Sequence, residues 1–287
     1  MYFTGPHDIE TWINNLQVLR VSKSCTPPHF LKPFHLATLA HVLRTENAAQ
    51  LNLAGKIGDY ADTMMLWEAL GIDSPFPAKN RQPSGRYLPV VLLEDRKSIE
   101  QVASDLGDLF TSVCVGERTV DAVRTMLREL IDNCYSHSAV DDGLYGLICA
   151  QIWNGGRKAQ IALSDSGVGI RTSLAENPDL KNRLLVENSC AMATEFGVTG
   201  KPGRGHSGYG LHVARGLLTN NNGMLYVRSG NEAFCLSQNV SSHTYTKTAW
   251  DGTLIVIEWD LDRPVDISDV YKSMPLPEGI DDDDFFS

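Results

Sequence analysis

Residues 158–165, Lys-Ala-Gln-Ile-Ala-Leu-Ser-Asp, impose the tightest constraint on what this chain can fold into. Ala159, Ile161 and Leu163 alternate with Gln160, Ala162 and Ser164, the period-2 pattern of a strand with one buried face. Asp165 continues the parity of the apolar set. It is therefore expected to point toward the buried layer, where an unpaired carboxylate is costly. Ser166-Gly167-Val168-Gly169 follows at once, and glycines there let the backbone turn and a flat ligand approach. Taken alone, an Asp-x-Gly-x-Gly sequence is equally a simple turn.

The segment 118–137 reads as a helix. Val120, Val123, Leu127, Leu130, Ile131 and Cys134 form its apolar stripe. Glu129, Asn133 and His137 lie four residues apart, and at about 100° per residue each step of four advances only about 40°, so they share one polar row. Such a row is commonly a solvated face. Here a carboxylate, an amide and an imidazole could in turn activate water, ligate Mg²⁺ and touch a phosphate. Mg²⁺ prefers oxygen ligands and takes few of them from protein, with the rest from phosphates and water.

Around these two elements, 98–110 reads as a further helix. Segments 144–153, 223–228, 233–236 and 253–260 read as further strands. Helices in one layer over a mixed or antiparallel sheet is the two-layer α+β solution. Toward the amino terminus, 9–19, 33–43 and 60–70 look helical, the last closed by Gly71 as C-cap. Residues 73–86, with Pro75, Pro77, Pro83 and Gly85, read as a loop, and 87–93 as a short apolar strand.

A glycine-rich stretch, 197–210, leads into a helix from about 211 to 218. A helix N-terminus with bare N–H groups is an anion site. Three other motifs overlap it and fail. Gly203, Gly205 and Gly208 match a dinucleotide fingerprint, but no strand precedes them directly. Gly200-Lys201 lacks the Ser or Thr of a phosphate loop, because Pro202 follows. The nucleophile-elbow pattern fails because Tyr209 stands where its last glycine belongs.

The 287 residues suggest one large or two modest domains. A net charge of −10 argues against general nucleic-acid binding. No apolar run approaches the roughly 20 residues a membrane helix needs, and the first residues lack a signal-peptide pattern. Cys25, Cys114, Cys134, Cys149, Cys190 and Cys235 form no C-x-x-C pair, so they are expected to be free thiols in a reducing cytoplasm.

Three segments in order are far more specific than any one of them. They are Glu129-Leu-Ile-Asp132-Asn133-x-x-x-His137, Asp165-Ser-Gly167-Val-Gly169-Ile and Gly205-x-x-Gly208-x-Gly210-Leu211. They resemble the N, G1 and G2 boxes of the GHKL ATPase superfamily, which includes DNA gyrase, heat-shock chaperones, histidine kinases and MutL proteins. The likeness covers about residues 97–262, and Gly252-Thr253 resembles the Gly-Thr that closes the site in many members.

The resemblance implies a two-layer α/β sandwich of Bergerat type, binding ATP or ADP with Mg²⁺. Asp165 would accept from the adenine amino group, with Gly167 and Gly169 in its turn and Thr253 assisting. Asn133 would hold Mg²⁺ and His137 would touch a phosphate. Gly205, Gly208, Gly210 and Leu211 would wrap the phosphates as part of a mobile lid over 194–210. Lys201 would reach the γ-phosphate or remain a solvated loop lysine. Glu129 matches the residue that polarises water in hydrolytic members.

The chain divides near residue 95: a small α/β domain is expected over 1–95, the nucleotide domain that the resemblance implies over 96–265, and an acidic tail over 266–287. Tyr60-x-x-x-Met64-Met65-x-Trp67 and Leu70-Gly71-Ile72 look like the STAS-like segment that precedes some bacterial stand-alone members. Those side chains are expected to be core. The reaction expected is slow ATP hydrolysis in the cytoplasm, with nucleotide state switching a contact to a protein the sequence does not name; a homodimer is compatible. A serine or histidine kinase and a non-catalytic nucleotide-gated module are the alternatives. His41 resembles a phospho-accepting histidine, but Val42 stands where an acid would follow and no long hairpin can form, so a helix-face role is expected.

Overall fold

A computed structural model describes residues 4–22, 28–45, 53, 55–77, 85–111, 113, 114, 116–136, 143–202 and 208–274. One five-stranded antiparallel sheet organises them, in the order β1-β2-β3-β5-β4. The strands are β1 (Tyr87–Leu93), β2 (Gly146–Trp153), β3 (Lys158–Asp165), β4 (Met224–Ser237) and β5 (Val240–Asp260). The fold is thus mixed α+β, as expected.

The alternation in β3 separates two cores. Ala159, Ile161 and Leu163 face a core shared with Ile255, Ile257 and Trp259 of β5 and with the helices α5 (Ser98–Thr111), α6 (Glu117–Ser136) and α10 (Gly210–Asn221). Short helices α7 (Ile170–Leu174), α8 (Lys181–Leu184) and α9 (Ser189–Met192) complete this side.

The opposite face, expected to be open, is covered by α1 (Pro6–Ser22), α2 (Pro33–Thr45), α3 (Gly55–Thr63) and α4 (Leu66–Leu70). Their apolar residues, Met64 and Trp67 among them, form one core with Leu147, Cys149, Ala162, Leu254 and Val256 of the sheet. Helices therefore lie on both faces, in three layers rather than two. β1 is the edge strand of this same sheet, paired with β2, so sheet and core are continuous across residue 95.

Polar side chains tie the amino-terminal layer down. Gln160 and Glu258 are cross-strand partners on β3 and β5 and are both buried. The Gln160 Oε1 accepts the Phe34 N–H at the start of α2 (3.0 Å), and its Nε2 donates to Glu258 (2.6 Å). Glu258 also accepts the Thr4 N–H at 2.7 Å. Buried Arg228 faces Glu10 of α1 at 3.2 Å. A polar group withdrawn from water must find such partners.

Two further expectations are corrected. The 60–70 helix is two, α3 and α4, because Met65 between them takes φ +57°. Gly71 does close α4, at φ +70°, donating its N–H to the Glu68 carbonyl. The expected tail begins with a helix, α11 (Ile267–Lys272), capped by the Asp266 carboxylate and packed through Val270 on Gly216. Residues 275–287 lie outside the described residues. The five described cysteines are free.

Candidate functional site

α6 forms because its apolar stripe meets the sheet while Glu129 and Asn133 remain on the opposite side; Glu129 is exposed and Asn133 half-buried. The first residue of α10 packs directly on this row. A Cβ added to Gly210 would sit 3.2 Å from the Glu129 Cβ and 3.3 Å from the Asn133 Nδ2. Any larger residue would have to push those side chains back by a few tenths of an ångström. The close approach sets the N-terminal end of α10, with its unpaired N–H groups and positive dipole end, against a carboxylate and an amide.

Asp165 ends β3 on the same side of the sheet, half-buried, with Thr253 of β5 as its cross-strand partner. Its Oδ1 accepts two backbone N–H bonds, from Gly167 at 2.8 Å and Thr253 at 3.1 Å. Burial raises its carboxyl from the ordinary 3.8 to about 6, and the bonds from Gly167 and Thr253 hold that rise in check. Gly252 passes so close that a Cβ would overlap the Asp165 carbonyl oxygen, and it takes φ +76°.

Ser229 of β4, a residue without any sequence signal, joins the two turns. Its hydroxyl accepts the Ile170 N–H (2.9 Å) and donates to the Gly252 carbonyl (2.7 Å). Behind them, Arg171 forms an ion pair with buried Glu232 (2.6 Å), which also accepts the Ser189 N–H. Burial pushes the Glu232 carboxyl up, but the bonds from Arg171 and Ser189 leave it lowered overall.

Between these elements lies a cavity of about 230 Å³. Leu163, Ile255, Leu130, Ile170 and Leu174 supply apolar wall, and Asp165 with Thr253 supplies a polar end. Glu129, Asn133, Gly208, Gly210 and Leu211 line it as well. Thr199 and Gly200 contribute from the segment before the lid glycines. That segment is held down: Asn177 donates to the Thr199 carbonyl at 3.0 Å, and Gly200 abuts the Ser173 carbonyl without room for a side chain. A partly apolar cavity lined by an acceptor and by a helix N-terminus can hold a flat, amino-bearing group joined to an anion.

The structure brings Glu129, Asn133, Asp165, Gly169, Gly208, Gly210, Leu211 and Thr253 to the lining of one cavity. Gly167 acts from behind, through its N–H. Lys201 is half-buried and does not line the cavity; its Nζ donates to the Ser136 carbonyl at the end of α6 (2.8 Å). His137 and Gly205 lie outside the described residues. Sequence reasoning also missed Tyr209, which lines the cavity and stacks on Phe196 with centroids 4.8 Å apart.

Among the described residues, no cluster of three or more His, Cys, Asp or Glu could by itself hold a metal ion. That donor set suits Mg²⁺ only as an ion held mainly by phosphate oxygens and water, with a single protein oxygen from Asn133. No described helix is long and apolar enough to cross a membrane. Comparison with protein-family models finds no match, and comparison with curated proteins finds none either.

Proposed function

We propose that the chain is a Mg²⁺-dependent ATP-binding protein of the GHKL type, with a Bergerat-type nucleotide site, that hydrolyses ATP slowly. One observation carries this reading: three segments far apart in sequence, each resembling a box of that superfamily, line one cavity. Asp165 and Thr253 hold the base, the apolar wall takes its faces, and the N-terminal end of α10 receives the phosphates.

The Asp165 Oδ1 is occupied by two N–H donors, which fixes the carboxylate so that its other oxygen can accept from an exocyclic amine. Bound Mg²⁺ would offset phosphate charge. Glu129 stands one turn before Asn133, beside the α10 N-terminus, where its carboxylate can take a proton from water. The resemblance makes 194–210 a lid, whose nucleotide state would pass to a protein contact. Phosphorylation of His41 is disfavoured by burial, because that side chain is 4% exposed.

Incubating the full chain with Mg²⁺ and γ-labelled ATP tests the proposal. Label released as phosphate supports hydrolysis, label on a protein supports the kinase reading, and binding with neither supports a nucleotide-gated module. Absence of Mg²⁺-dependent ATP binding by calorimetry overturns all three.

A further inference from the structure

Behind the cavity, on the far face of the sheet, one side chain of α2 touches both strands that carry the site. The His41 Nδ1 lies 3.1 Å from the Ser164 hydroxyl. Its ring stacks on the Trp250 indole, with centroids 4.8 Å apart and planes at 30°. Both rings are buried. Ser164 immediately precedes Asp165 on β3, and Trp250 lies shortly before Gly252 and Thr253 on β5. A single imidazole therefore backs both halves of the pair that forms the polar end of the cavity.

That support falls beside the last pair of the regular β3–β5 ladder, Asp165 with Thr253. The β4–β5 register shifts on either side of Gly230, whose partner is Trp250. A bulge interrupts the regular bonding that would otherwise fix the backbone there. Meanwhile the Asp165 carboxylate takes its orientation from the Gly167 and Thr253 N–H groups. Packing from behind supports the stretch around Trp250, which lies beyond that last β3–β5 pair.

We propose that the amino-terminal helical layer regulates the nucleotide site, with His41 as the positioning residue that keeps Asp165 and Thr253 in register through Ser164 and Trp250. This rests on the reading of the cavity as a nucleotide site. Coupling of this kind is reciprocal: whatever displaces α2 weakens nucleotide binding, and nucleotide tightens α2.

Hydrogen exchange on the full chain tests it, comparing wild type with His41→Ala, His41→Asn and the packing control Leu39→Ala at matched global stability. Without nucleotide, His41→Ala is expected to speed exchange at 165–167 and 251–254 about fivefold or more, beyond the control. His41→Asn, whose amide can replace Nδ1 toward Ser164, is expected to restore most of the protection. With Mg²⁺ and ATP, residues 38–43 of wild type should exchange more slowly, and His41→Ala should bind ATP about fivefold or more weakly while Leu39→Ala does not. Equal exchange at 165–167 and 251–254 in His41→Ala and the control overturns the proposal. If wild type binds no ATP while the nucleotide-free difference persists, the coupling stands and the nucleotide reading falls. Should His41→Ala not fold, Ser164→Ala, which removes only the hydroxyl, reads the same amides.

Discussion

Replacing Asp165 by asparagine should stabilise the fold and remove the nucleotide at the same time. Burial raises this carboxyl from 3.8 to about 6. Between those values the folded chain keeps a proton that the unfolded chain has released. The stability contributed by the neutral acid is therefore full at low pH and is lost as pH rises through about 6. At about 1.4 kcal/mol per pKa unit, the ionised group costs the fold about 3 kcal/mol above pH 6. Asparagine retains an oxygen to accept from Gly167 and Thr253 but carries no charge. Asp165→Asn should thus exceed wild type at pH 8 by up to about 3 kcal/mol, roughly 5–10 °C in melting temperature, and the two should converge toward pH 4. The same change removes a charged acceptor for the adenine amine and should weaken binding about 10- to 100-fold. Wild-type affinity should fall as pH drops below about 6, and that of the variant should not. Denaturant melts from pH 4 to 8, with calorimetry at each pH, provide the measurement. A wild type at least as stable as the variant at pH 8, or a gap that persists at pH 4, refutes the reasoning.

Glu129→Gln should retain ATP binding and lose about 10²–10⁴-fold in turnover, read as phosphate release; unchanged turnover would return that row to a plain helix face. Arg171→Ala leaves the buried Glu232 carboxylate with only its Ser189 donors and should cost about 1–3 kcal/mol in a urea melt, with Arg171→Ala/Glu232→Gln recovering part of it. A loss of only a few tenths would mean that the ion pair does not anchor α7 and α9. Gly252→Ala faces both φ +76° and overlap with the Asp165 carbonyl, so it should lower the melting temperature and abolish nucleotide binding together; wild-type behaviour would contradict the close strand approach.

Elements whose apolar spacing matches a single buried face were legible in the sequence alone. β1, a short apolar run, and β3, by its alternation, have the expected bounds, and the parity of Asp165 places it on the α6 side of the sheet. The shared row of Glu129 and Asn133 follows from helical spacing in the same way. The long β4–β5 hairpin was not legible. Residues 240–249 are mostly exposed, so their Ser- and Thr-rich run carries no alternation, and β5 read only as 253–260. The short helices between 170 and 192 are too brief to show a period.

What only the tertiary structure decided is which polar residues are buried, and by what. Gln160, Ser164 and Glu258 occupy the alternate positions that read as the solvent side of their strands, yet α1 and α2 cover them. His41 reads as a helix-face residue and lies instead between two strands. Ser229 joins the Gly169 and Gly252 turns, and Lys201 is drawn to the end of α6. Periodicity records how a segment divides its own side chains between two faces. It does not record which other segment arrives at each face, because that depends on contacts between residues far apart in the chain, such as Thr4 with Glu258.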